Sequence, residues 1–148
     1  MQFKLHHYGV LVKDIGAAAH DFVKRLGYVI ESEVIEDPVQ TARVQFLRQP
    51  GTTSWLELVT PNGPDSKLTN ALKKGGGPHH ICYETDDLDR ACENLRGQAM
   101  LVLSKPVPAK AFPGRRIAWV MDQSAILIEL LERGEGPLSL ASISADSK

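Results

Sequence analysis

No apolar stretch in this chain approaches the roughly 20 residues that a membrane span needs, which excludes a transmembrane anchor. Charge of one sign is also lacking. The net charge is -1, so there is no electrostatic basis for binding nucleic acid or an anionic membrane. The two cysteines, Cys82 and Cys92, have neither metal-site nor scaffold spacing and read as free thiols of a reducing cytoplasm. The opening MQFKLHHYGV has no signal-peptide apolar core and enters a strand-like pattern at once, so a cytoplasmic protein is expected. The 148 residues are 43% hydrophobic and 24% charged, ordinary values for a globular domain with a sizeable core.

The elements alternate in a recognisable order. Leu5 to Val12 reads as a strand, and Asp14 can cap a helix with Ile15, Ala18, Ala19, Phe22, Val23 and Leu26 at helical spacing. Gly27 is placed to end it. Strand-like runs follow at Tyr28 to Ile35, Thr41 to Leu47 and Ser54 to Thr60. Pro61-Asn62-Gly63-Pro64, a short helical stretch from Ser66 to Lys74 and Gly75-Gly76-Gly77-Pro78 read as a linker. The order then restarts: a strand from His79 to Thr85, a helix capped by Asp87 and ended by Gly97, and strands at Met100 to Leu103, Arg116 to Met121 and Ala125 to Leu131. The reading is one domain over 1–132, with module one at 4–60, a linker at 61–77, module two at 78–132 and a mobile tail at 133–148.

Shifting the first half by about 73 positions lays His6-His7 on His79-His80, Asp14-Ile15 on Asp87-Leu88, Arg43-Val44 on Arg116-Ile117 and Phe46 on Trp119. A one-residue slip lays Leu56-Glu57-Leu58 on Ile128-Glu129-Leu130. Alternation along a strand sets each Glu between apolar neighbours: Glu129 shares a face with Leu127 and Leu131. On its own strand His80 shares a face with Cys82 and Glu84, and His7 shares one with Gly9 and Leu11. An unpaired buried carboxylate is costly. One His and one Glu from each module carry a formal charge of -2 and balance a single divalent cation.

The segments HHYGVLVKD, SWLELVTPNGPDS, KKGGGPHHICYETDDLD and AILIELLE resemble the vicinal oxygen chelate (glyoxalase/bleomycin resistance/dioxygenase) superfamily from about residue 4 to residue 132. Within it they look most like methylmalonyl-CoA epimerases and glyoxalase I-like proteins. The resemblance implies an α+β fold: two βαβββ modules forming a curved, half-open mixed β-barrel with helices outside. It selects the second member of each doublet, so the implied metal ligands are His7, Glu57, His80 and Glu129. Epimerases usually carry Gln where Glu57 stands, and the acid they use as a second base has no counterpart in 41–47.

The resemblance implies an isomerase, epimerase or glyoxalase-type lyase that moves a proton next to a carbonyl. One divalent ion per chain (Co, Ni, Mn or Zn) is expected to stabilise the enolate. Glu57 and Glu129 are the candidate catalytic acids and bases, with Glu84 as an alternative. Arg43 and Arg116 are candidates for holding a substrate carboxylate or phosphate through a bidentate fork, with Arg115 on the opposite face. The loop from Pro106 to Gly114 reads as a lid or a plain connection. The partner is a small molecule: an acyl-CoA, a hemithioacetal or an oxo-acid. A homodimer is expected, and the modules can pair within one chain or be exchanged between two. Two other readings use the same fold: a resistance-type module that sequesters a small molecule without chemistry, and an extradiol-type dioxygenase. The four-ligand set argues against both.

Overall fold

A computed structural model of the protein describes residues 2–146. Its elements are β1 (Phe3–Leu11), α1 (Ile15–Leu26), β2 (Val29–Ile30), β3 (Ile35–Asp37), β4 (Ala42–Arg48), β5 (Trp55–Pro61), α2 (Thr69–Lys73), β6 (Gly77–Thr85), α3 (Leu88–Arg96), β7 (Leu101–Val102), β8 (Val107–Pro108), β9 (Arg116–Met121), β10 (Leu127–Glu132) and α4 (Leu140–Asp146). The architecture is α+β, as expected, mostly strand with four helices among the described residues.

Both long helices start as their sequence signals demand. The Asp14 carboxylate accepts from the Ala17 amide at 3.0 Å, and the Asp87 carboxylate accepts from the Arg90 amide at 3.1 Å. Such caps contribute about 1 kcal/mol each. Gly27 ends α1 at φ 72, the left-handed conformation that favours glycine. Gly97 ends α3 at an ordinary φ of -67.

The chain packs as two compact units. One runs from Tyr8 to His79; the other joins the residues up to His7 with those from His80 on. In the first, the strand order is β2–β4–β5–β1, with β3 also paired to β4. Leu47 sits opposite Leu56 and Gln45 opposite Leu58. That row faces α1 and forms a core of Ile15, Ala19, Leu47, Leu56 and Leu58, flanked by Phe22 and Tyr28. The alternate row carries Trp55, Glu57 and Val59 on β5, with Phe46 opposite Glu57.

In the second unit the order is β1–β6–β10–β9–β7, with β8 on β9. Here β10 runs parallel to β6 and antiparallel to β9. Leu88, Ala91 and Cys92 of α3 pack on Ala118, Val120 and Leu130. Full burial of Leu88 and Leu130 contributes roughly 1.5–3 kcal/mol each. The opposite row carries Cys82, Glu129, Trp119, Ile117 and Leu131, which belong to the candidate site.

Two expectations differ from the structure. The strand expected over Tyr28 to Ile35 is interrupted. The Glu31 amide donates to the Phe46 carbonyl at 2.9 Å, but the Phe46 amide donates to the Ser32 hydroxyl at 2.9 Å instead of a backbone carbonyl. The second unit repeats the device: the Leu103 amide donates to the Trp119 carbonyl at 2.8 Å, and the Trp119 amide to the Ser104 hydroxyl at 3.0 Å. A side-chain oxygen has replaced the next rung of the ladder. The segment after Arg133, expected as a mobile tail, contains α4 and buries Leu138, Ser139 and Ile143. Its anchor is the Arg115 guanidinium, which donates to the Pro137 carbonyl at 2.9 Å. Gly134 lets the chain pass, because a Cβ there would lie 2.5 Å from Arg115 Cδ. Three well-spaced apolar residues in a polar, small-residue stretch gave no periodic signal. No helix among the described residues is long and apolar enough to cross a membrane.

Candidate metal centre

Three strands of one unit bring His7, His80 and Glu129 together. His7 stands on β1, His80 on β6 and Glu129 on β10, and all three are buried. His7 Nε2 lies 3.2 Å from His80 Nε2 and 3.2 Å from Glu129 Oε1, and His80 Nε2 lies 3.8 Å from the same oxygen. Donor atoms roughly 2.0–2.2 Å from a shared ion lie roughly 2.8–3.1 Å apart at right angles and roughly 3.3–3.6 Å apart at tetrahedral angles. The three separations span that range or slightly exceed it. Glu129 Oε1 is buried and accepts no hydrogen bond. A buried carboxylate oxygen beside two imidazole nitrogens is a donor set suited to a divalent cation. The fourth expected ligand, Glu57, is buried on β5 of the other unit at the equivalent strand position.

The surroundings hold the rings in place. Trp119, across from Glu129 on β9, meets the His80 ring edge-on at 4.9 Å between centroids. Phe112, from the loop after β8, contacts His6 edge-on at 5.2 Å and stacks near His7 at 6.1 Å. Cys82 is fully buried beside His7 and Glu129. Burial pushes its thiol far above the usual range, a rise that the His7 ring opposes and the Glu129 charge adds to, so it stays protonated. His6 is as completely buried as His7, and one donor atom each from His6, His7 and Cys82 lie within 4.8 Å of one another.

The arginines fall differently from expectation. Arg43 lies on the α1 side of its sheet, half exposed, with Nε donating to Glu36 at 2.8 Å. Arg116 lies on the α3 side, donating to Glu132 at 2.9 Å and to Asp89 at 2.7 Å. These bonds raise its pKa and lower that of Asp89. Both side chains are committed to carboxylates, and Arg116 is not brought to His7, His80 and Glu129. It is Arg115, expected on the opposite face, that continues the row of Ile117 and Trp119. The register decides this: Trp119 pairs with Glu129, so odd-numbered residues of β9 share the Glu129 face. Arg115 is 4% exposed, lies over the Phe112 ring at 4.9 Å and stands 3.9 Å from Glu84. Burial raises the Glu84 pKa despite Arg115, and burial lowers that of Arg115 despite Glu84. Sequence reasoning singled out neither Phe112 nor Trp119 for the centre. Trp119 was visible as the repeat partner of Phe46; nothing in sequence marked Phe112.

A family model described as the Glyoxalase/Bleomycin resistance protein/Dioxygenase superfamily matches residues 6–119. The chain is 30% identical over 131 residues to an ethylmalonyl-CoA/methylmalonyl-CoA epimerase of Cereibacter sphaeroides, covering 86% of this chain and 96% of the relative. It is 31% identical to the mitochondrial methylmalonyl-CoA epimerase of Homo sapiens, over 86% of this chain and 72% of the relative. Among solved structures, the methylmalonyl-CoA epimerase of Mycobacterium tuberculosis superposes with a TM-score of 0.80 at 26% identity, covering 89% of each chain.

Proposed function

Because the chain belongs to the glyoxalase/bleomycin resistance protein/dioxygenase superfamily, we propose that it is a divalent-metal-dependent epimerase acting next to the carbonyl of an acyl-CoA thioester. One observation carries the reading: the buried convergence of His7 Nε2, His80 Nε2 and Glu129 Oε1 within 3.8 Å. The relatives support the reaction class, since those named above are epimerases of alkylmalonyl-CoA substrates. None of them supports the glyoxalase-type lyase. His7, His80 and Glu129 hold the ion, with Glu57 as the fourth ligand by its equivalence to Glu129 in the repeat. A divalent ion there supplies Lewis-acid polarisation of the thioester carbonyl.

The remaining chemistry belongs to carboxylates. Epimerisation breaks the α-carbon–hydrogen bond on one face and remakes it on the other. A carboxylate oxygen of Glu57 or Glu129 takes that proton and returns it to the other face of the planar α-carbon. Apolar walls around Glu129, from Leu131 and Ile117, keep water from the transferring proton.

The test is metal analysis of the purified protein, followed by α-proton exchange in deuterated water. A panel of 2-alkylmalonyl-CoA thioesters, hemithioacetals and oxo-acids serves as substrate. About one divalent ion per chain is expected, with exchange and inversion confined to the thioesters and abolished by chelation. Small acids that bind the metal-free and loaded protein equally well, with no exchange in any substrate, would replace the enzyme reading with sequestration.

A further inference from the structure

Beyond β10 the chain turns back toward the centre. Arg115 Nη2 donates to the Pro137 carbonyl at 2.9 Å, and the next carbonyl, that of Leu138, lies 2.6 Å from His6 Nε2. One donor atom each of His6, His7 and Cys82 lie within 4.8 Å of one another, so the Leu138 carbonyl sits against the cluster that includes His7. Leu138 and Ile143 are buried, as are His7, His80, Cys82 and Glu129. A thioester carbonyl must come within bonding distance of an ion on these residues, so part of their cover has to move.

The segment after Arg133 is held by opposing contributions of similar kind. Burial of Leu138 and Ile143 favours its seat. Two features oppose it. Leu138 stands at φ 61, in the left-handed region that a leucine avoids. Arg115 is buried, yet its Nε and Nη1 find no hydrogen-bond acceptor among the described residues, and Glu84 stands 3.9 Å away. A buried donor without an acceptor is costly, and water would satisfy it once the segment lifted. A hinge is at hand in Gly134 and Gly136, the second at φ 108. Gly134 also seats the segment directly on the latch: a Cβ there would lie 2.5 Å from Arg115 Cδ and 2.8 Å from its Cγ.

We propose that residues 134–146 form a strap over the candidate centre, latched by Arg115, which lifts on Gly134 and Gly136 to admit substrate. Opening exchanges one guanidinium–carbonyl bond and an apolar plug for hydration of the guanidinium and relief of the Leu138 backbone. The Arg115 guanidinium also lies over the Phe112 ring at 4.9 Å, and that ring packs against His6 and His7. Strap and aromatic cover therefore share one side chain. What the strap admits rests on the epimerase reading above; that it opens does not.

The test uses the full chain and needs no turnover. Alkylation of Cys82 by N-ethylmaleimide in chelator, located by mass spectrometry of the digested protein, reads opening at the centre. Cys92, buried in the α3 core, reads general loosening in the same molecules. Gly134→Ala sets a methyl against the Arg115 stem, and Leu138→Asp puts a charge in the plug. Each should speed Cys82 modification roughly 10-fold or more and leave Cys92 unchanged. With Zn²⁺ restored, each should tighten propionyl-CoA binding by a similar factor, because a closed strap lowers apparent affinity by the open fraction. In the wild type, amides 138–143 should exchange with deuterium well before those of β6 and β10. Strap amides as slow as those of β10 overturn the proposal, and that measurement needs no variant to fold. So do Cys82 rates unmoved in both variants, Cys92 rising in step with Cys82, or propionyl-CoA affinity unmoved while Cys82 opens. Absence of α-proton exchange from every thioester, with the alkylation pattern and the propionyl-CoA effect intact, overturns the epimerase reading and leaves the strap standing.

Discussion

Glu129→Gln should raise the stability of the metal-free protein and lower that of the metal-loaded one. The side chain is 5% exposed, and its Oε1 accepts no hydrogen bond while lying 3.2 Å from His7 Nε2. Leaving a buried acceptor unsatisfied costs about 1–3 kcal/mol, and more when it is charged. Gln keeps the shape and removes the buried charge. A gain of about 1–3 kcal/mol corresponds to a melting temperature higher by roughly 2–12 °C for a chain of this size. With metal at 100-fold its dissociation constant, the wild type gains about 2.7 kcal/mol, or roughly 5–11 °C. The variant, short of one charged ligand, gains little. The order of the two proteins therefore reverses between chelator and excess metal. Thermal unfolding followed by circular dichroism under both conditions reads the reversal. A variant less stable than wild type in chelator would show that Glu129 is satisfied without a cation, and the donor-set argument would fail.

The Glu84–Arg115 pair predicts a pH dependence. Burial raises the folded pKa of Glu84, so the folded state binds its proton more tightly than the unfolded state. Stability should then fall as pH rises from the ordinary carboxylate value through the raised one, and Glu84→Gln should flatten that slope in urea titrations across the acid range. Arg43→Ala and Arg116→Ala should leave α-proton exchange and substrate KM unchanged; loss of exchange in either would return that arginine to the substrate site. The stability effect of Arg116→Ala should shrink with added salt, because its ion pairs are solvent-screened. Ser104→Ala leaves the Trp119 amide without its acceptor, costs about 1–3 kcal/mol and should broaden the His80 ring signals through the shifted indole. Sharp, unmoved His80 resonances would disconnect the ladder break from the centre.

Much of the fold lay in local pattern. The two Asp caps, the glycine closing α1 and the outline of β1, β4, β5, β6, β9 and β10 all follow from periodicity and turn chemistry acting within one element. The repeat carried the rest of the topology, because two copies of one pattern must solve the same packing problem. The failures involve quantities that a single strand does not encode. Whether Arg115 or Arg116 joins the Glu129 face depends on the pairing of β9 with β10, and a shift of one residue exchanges the two. The break after Glu31 depends on a hydroxyl competing for an amide on another strand. His6 was set aside because the resemblance selects the second member of each His doublet. It is buried all the same, since Phe112 and the Leu138 segment cover it from distant parts of the sequence.

The two hairpins that follow the serine breaks differ chiefly at their tips. In the first, Asp37 pairs with Ala42 and the loop 38–41 is short. In the second, Pro108 pairs with Arg116, and the longer loop 109–115 carries Phe112 onto His6 and His7. Closing seven residues instead of four costs only about 0.5 kcal/mol in chain entropy. The tip is therefore where a duplicated scaffold can become lopsided at almost no thermodynamic cost. Ligands sit on rigid strands, while the cover above them hangs from a loop whose length and sequence can drift without disturbing a single rung of the ladder. A protein built this way can be retargeted by exchanging hairpin tips like cassettes, and grafting a differently sized 109–115 loop is the natural first step in changing what this centre accepts.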